Sequence, residues 1–263
     1  MGLIDAIHNN GVPKVVLRYI MMNFLDLESI KKVILTVKEM NVLDDYSKNF
    51  LASATRGFIW NCQNNNLNVA KWLYFISGVN IHADGETAFI LSCANGHLNV
   101  AQWLYSISDI NIHADDEAAF IKSSTYGHLN VAQWLYSLDN INVHVDDEEA
   151  FRKSCIGGHL DVAQWLYSIG DINIHAKNEY AFIWSCANNH LVVAKWIYSL
   201  GNVNIHADNE AAFLLSCHYN HIKMAHWIHS LGKLEGSIDI HVCYNYVFKY
   251  SSNEIIKWLQ TIN

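Results

Sequence analysis

Histidine, cysteine and carboxylate side chains recur along this chain at a fixed interval, and each set has a chemistry it could perform. Histidines stand at 82, 113, 144, 175 and 206, and a second series stands at 97, 128, 159, 190 and 221. Imidazole can ligate a metal or act as a base near neutral pH. Cysteines at 62, 93, 155, 186 and 217 could bind zinc or pair as disulfides. Carboxylates at Asp84, Asp115, Asp146 and Asp208 form a row broken by Lys177, and Glu86, Glu117, Glu148, Glu179 and Glu210 run beside it.

The spacing decides among these chemistries. Tryptophans fall at 72, 103, 134, 165, 196, 227 and 258, phenylalanines at 58, 89, 120, 151, 182 and 213, and the string GHLNVAQWLYS occurs at 96–106 and again at 127–137. An interval of 31 residues marks a stacked repeat, in which each unit buries its apolar face only against its neighbours. The insertion KLEG before His241 breaks the register, and Trp258 regains it.

Each unit reads as finger, helix, tight turn, helix. The column Gly85, Asp116, Asp147, Asn178, Asn209 holds good N-cap residues, and the Glu after each would oppose the helix dipole from the first turn. The column Gly96, Gly127, Gly158, Asn189, Asn220 holds residue types that tolerate a left-handed stop. In the second helix Val131, Trp134, Leu135 and Leu138 make a buried stripe. The tryptophan ladder lies on that stripe and is expected to be core.

Equivalent residues on stacked helices lie roughly 8–10 Å apart, too far to converge on one zinc ion, whose ligands stand about 2 Å away. The Cα atoms likewise exceed the roughly 7 Å that a disulfide spans. The histidines are therefore expected to hydrogen-bond neighbouring backbone and the cysteines to be buried thiols, with no metal and no cofactor. The sequence contains no nucleophile elbow, glycine-rich phosphate loop or HExxH, and carboxylates recurring in every unit read as caps. No catalytic residue is expected.

Helix, GH turn, helix and then DINIHAD resembles the ankyrin repeat, from about 51 to 263. The usual Thr-Pro-Leu-His opening is missing: Ala118-Ala119-Phe120-Ile121 keeps only an apolar residue at Phe120, and the finger is two residues short. The 31-residue, tryptophan-rich form is similar to the arrays abundant in giant DNA viruses of amoebae. The resemblance implies an all-α, ankyrin-type helix-turn-helix solenoid with short finger loops. It is divided into degenerate capping repeats at 1–50, repeats at 51–240 and a C-terminal cap at 241–263.

The chain has a net charge of −8 and is 51% hydrophobic. That balance argues against nucleic acid. No apolar run reaches the length of a membrane span or a signal segment. A monomer in a reducing cytoplasm is expected, the host cytoplasm if the origin is viral.

Columns that change from unit to unit mark the surface free to bind. Within one unit they lie at i, i+4, i+7 and i+8 of the first helix, one helical face. They include Trp60, Leu91, Lys122, Lys153, Trp184 and Leu215 in one column, Asn95, Tyr126 and Tyr219 in another, and Tyr180 in a third. The resemblance places this face in a concave groove that binds a partner protein, and exposed aromatics are the usual anchors of such interfaces. The fingers, with Asp84, Asp115, Asp146 and Asp208, are either solubilising tips or an acidic rim that steers a basic partner. Two other roles are consistent with the resemblance: recruiting substrates to a host ubiquitin ligase, or serving as a structural component of a virion.

Overall fold

A computed structural model of the protein describes residues 47–77, 79–240 and 253–262. Among these residues there are 13 helices and no strands, and no helix is long and apolar enough to cross a membrane. The chain divides into two compact units, 1–111 and 112–263. Most of the expected caps over 1–50 and 241–263 lies outside the described residues.

The first unit holds α1 (Ser47–Gln63), α2 (Leu67–Ser77), α3 (Ala83–Ala94) and α4 (Leu98–Ile107). The second holds α5 (Ala114–Thr125), α6 (Leu129–Leu138), α7 (Val145–Ile156), α8 (Leu160–Ile169), α9 (Ala176–Ala187), α10 (Leu191–Ser199), α11 (Ala207–His218), α12 (Ile222–Glu235) and α13 (Asn253–Ile262). Within the second unit the first helices α5, α7, α9 and α11 pack in series. Each of these four packs against its own second helix.

The turn between paired helices follows from its residues. At the end of α3 the Gly96 amide donates to the Cys93 carbonyl at 3.0 Å and the His97 amide to the Ser92 carbonyl at 2.9 Å. This pair of bonds closes a helix around one left-handed residue. Gly96, Gly127, Gly158, Asn189 and Asn220 fill that position, with φ between 61° and 80°, as their types suggest. The small buried Ser and Cys that precede it leave room for the neighbouring first helix. The thiols at 62, 93, 155, 186 and 217 are buried and form no disulfide, and burial pushes the Cys62 thiol up to about 12 and the thiols of Cys93, Cys155 and Cys186 higher still.

Two expectations need correcting. The tryptophans are half-buried rather than fully core. Trp165 wedges between two rings of the preceding repeat, 6.1 Å from Phe120 and 5.7 Å, edge-on, from Tyr136. Trp196 and Trp227 repeat the arrangement. The innermost side chains are instead the phenylalanines and the aliphatics at 104, 135, 166 and 197, fully buried.

The second correction concerns the start of the first helices. The proposed N-caps lie inside that start, and the residue ahead of each helix is the finger histidine, whose side chain makes no cap hydrogen bond. Residues 84–86, 115–117, 146–148, 177–179 and 208–210 are instead three successive left-handed residues, with φ from 48° to 68°. Asp, Asn and Gly serve left-handed turns as readily as N-caps, so residue type alone did not separate the two.

Candidate functional site

The left-handed turn carries its Glu inward. Glu86, Glu117, Glu148, Glu179 and Glu210 are each only 5–7% exposed. They do not oppose a helix dipole from solvent. The Nδ1 of each finger histidine donates to the carboxylate four residues on, at 2.7 Å for His82–Glu86, 2.8 Å for His113–Glu117, 3.0 Å for His144–Glu148 and 2.8 Å for both His175–Glu179 and His206–Glu210. The same Glu oxygen accepts the backbone N–H of the next finger, 3.2–3.3 Å away, at Asn111, Asn142, Asn173, Asn204 and Asp239. This is a clasp between adjacent fingers. The first histidine series therefore bonds a side chain, not the neighbouring backbone that was expected. Its signal was present in the sequence: HADGE, HADDE, HVDDE, HAKNE and HADNE all set Glu four residues after His.

Three members of the second series, His97, His190 and His221, bond neighbouring backbone as expected. His97 Nε2 donates to the Gln63 carbonyl at 2.9 Å and His221 Nε2 to the Ala187 carbonyl at 3.0 Å, each reaching one repeat back. His190 is hydrogen-bonded to the Ile156 backbone. The His159 ring lies so close to Gly127, and the His190 ring to Gly158, that a Cβ on either glycine would collide with it. Burial foremost, and then the neighbouring His159 and His221, hold the His190 imidazole below its usual range against the pull of the Ile156 carbonyl.

The variable face is accessible in both units. In the first, Trp60 is 56% exposed, Asn95 and Asp84 are exposed, and Leu91 is half-buried. In the second, Tyr126 and Tyr219 are 59% and 48% exposed, Lys122, Asp115, Asp146 and Asp208 are exposed, and Lys153 and Leu215 are half-buried. Tyr180 and Trp184 are half-buried, with ring centroids 5.8 Å apart.

A residue not singled out from the sequence organises this pair. Arg152 occupies a column otherwise filled by Ile90, Ile121, Ile183 and Leu214, and it is 4% exposed. Its guanidinium donates to the carbonyls of Asp146 and Asp147 at 2.7 Å, neutralises Asp146 at 3.5 Å and stacks 5.2 Å from the Tyr180 ring centre. Lys177, the break in the acidic row, bonds Asp146 at 2.9 Å and lies 3.8 Å from Asp147. The Lys177 ammonium foremost holds the Asp146 carboxyl below its usual range. Beside this cluster, His144, Asp147, Glu148, Asn173, His175, Ala176 and Lys177 line an open cleft of about 480 Å³. The structure thus gathers Tyr180 and Asp146 around Arg152, with Trp184 against Tyr180. The lone arginine in an aliphatic column was the available signal.

No curated protein matches the chain. A family model described as ankyrin repeats, in three copies, matches residues 58–147. The finger clasps and left-handed turns continue with the same geometry as far as 210, beyond the matched stretch. Among the described residues the fold is an all-α helical repeat, and its residues 58–147 are similar to three ankyrin repeats.

Proposed function

We propose that the chain is a non-catalytic scaffold that binds a partner protein through the variable face of its first helices, centred on Tyr180 and Trp184. Ankyrin repeats are protein-interaction modules, and that supports the general class. One observation supports the location: a buried arginine, where the array otherwise places an aliphatic residue, stacks on Tyr180, whose ring lies beside that of Trp184. Pre-positioned aromatics lose little conformational freedom on binding, which suits them as anchors. Tyr126 and Tyr219 extend the aromatic surface of the same unit, and Lys122 and Lys153 set cationic groups near it. The acidic fingers contribute steering.

The test pairs stability with capture. Trp184→Ala should alter the unfolding free energy by no more than about 1 kcal/mol and weaken partner binding by about 2 kcal/mol or more. Affinity purification from cells, read by mass spectrometry, compares the proteins retained by wild type and variant. A variant that folds and retains every protein wild type retains removes this face from the reading. Cullin-ligase subunits among the proteins captured by both forms would make the scaffold a substrate adaptor.

A further inference from the structure

The five finger clasps are alike around Glu and unlike around the far nitrogen of the histidine. In the first two that nitrogen meets the residue that follows the second helix, Ser108 or Asp139, and this column continues as Gly170 and Gly201. His82 Nε2 meets the Ser108 hydroxyl at 2.7 Å, whereas His113 Nε2 meets the Asp139 carboxylate at 3.7 Å. His113 therefore lies between two carboxylates, one buried and one 62% exposed. Asp139 is held in place: its other oxygen accepts the Asn140 amide at 2.7 Å, and its carbonyl accepts the Ile141 amide at 2.7 Å.

We propose that His113 is a proton-operated clasp. As an imidazolium it bridges Glu117 and Asp139, and tied in this way the start of α5 is joined to the segment leaving α6. As a neutral ring it keeps its Nδ1 proton on Glu117 and turns a lone pair toward Asp139, which it no longer attracts. The other charged groups near it are Asp115 and Asp116 on its own turn, both exposed. The helix packed alongside, α7, and its finger bring His144 and Glu148, bonded to each other, and Asp146, Asp147 and Arg152. In keeping with the geometry, the hydrogen bond to Glu117 foremost, and then Asp139, hold the His113 imidazole above its ordinary 6.5. The bond is thus made as pH falls through the neutral range, and the finger tightens in mild acid.

The test uses the full chain with labelled histidine rings, titrated by NMR, alongside hydrogen exchange of the finger amides. His113 should titrate above 6.5, and Asp139→Asn should move it down. Asp139→Gly should do the same, and glycine already serves at this position in the next two repeats. The Asn142 amide, bonded to Glu117, should be protected several-fold more at mildly acidic than at mildly basic pH, after correction for intrinsic exchange. The Asn173 and Asn204 amides should show a smaller ratio, and the Asn142 excess should vanish in Asp139→Asn. Titration of His113 at or below its ordinary value overturns the proposal. So does an unchanged titration in both variants, or an Asn142 ratio equal to those of Asn173 and Asn204. Asp139 is exposed and its variants are conservative, so loss of the fold does not stand in for these outcomes.

Discussion

Two histidine series run through the repeats with the same period, and they do opposite things. In the fingers, each imidazole donates a hydrogen bond to a buried carboxylate, and at His113 a positive charge on the ring is welcome. In the turns, His97, His190 and His221 reach back to a backbone carbonyl, and at His190 a positive charge is resisted by burial and by its neighbours. The residue type is the same and the interval is the same. What differs is whether a carboxylate or a carbonyl stands opposite, and in that contrast lies the response of the structure to pH.

The contrast can be broken most forcefully at the carboxylate. Glu179→Ala removes the acceptor shared by His175 and the Asn204 amide. It should destabilise the protein by roughly 2–4 kcal/mol, because two donors lose a charged partner and a buried side chain leaves a void. Urea unfolding measures this, and a loss below about 1 kcal/mol would mean that the clasp is not structural.

A smaller effect is expected in the turns. Gly158→Ala puts a Cβ against the His190 ring at φ +80°, at a cost of roughly 1–3 kcal/mol. Gly158→Asn should cost less, because Asn189 and Asn220 already occupy the equivalent position at φ 62° and 61°. Equal losses for the two variants would show that the close approach, not the backbone, governs the site.

The smallest effect is the pH slope, and it sharpens the comparison through its sign. His113 is raised above its ordinary 6.5, so its contribution is fully present below 6.5 and is lost as pH rises through its folded value. His190 is depressed, so its contribution is present above 6.5 and is lost as pH falls toward its folded value. His113→Gln should therefore leave a stability that rises more steeply with pH across the neutral range. His190→Gln should flatten that rise or reverse it. Chemical denaturation at several pH values reads both slopes, and changes of slope from wild type in the same direction for the two variants would contradict the contrast between His113 and His190.

These readings also show where sequence reasoning stopped. The period, the helix pairs and the left-handed stops were legible, because Gly and Asn in one column have a single common backbone use. The finger was not, because Asp, Asn and Gly have two uses, and the choice between cap and left-handed turn depends on where Glu goes next. Burial of a carboxylate is a tertiary event, and only the recurring histidine four residues upstream hinted at its partner. Around the variable face, Trp184 and Tyr180 could be picked out by comparing repeats. Arg152 escaped because a charged residue in an aliphatic column reads first as an exposed substitution, and its burial rests on two backbone carbonyls that no spacing encodes.

The finger clasp ends on a main-chain N–H. The recipient is Asn in four joints and Asp239 in the fifth, where four extra residues have been admitted ahead of it and the bond still closes at 3.3 Å. A joint whose socket is the peptide group places no demand on which side chain arrives. Modules built this way can be duplicated, reordered or lengthened at their seams without redesigning the fastener, which leaves their outward columns free to diversify.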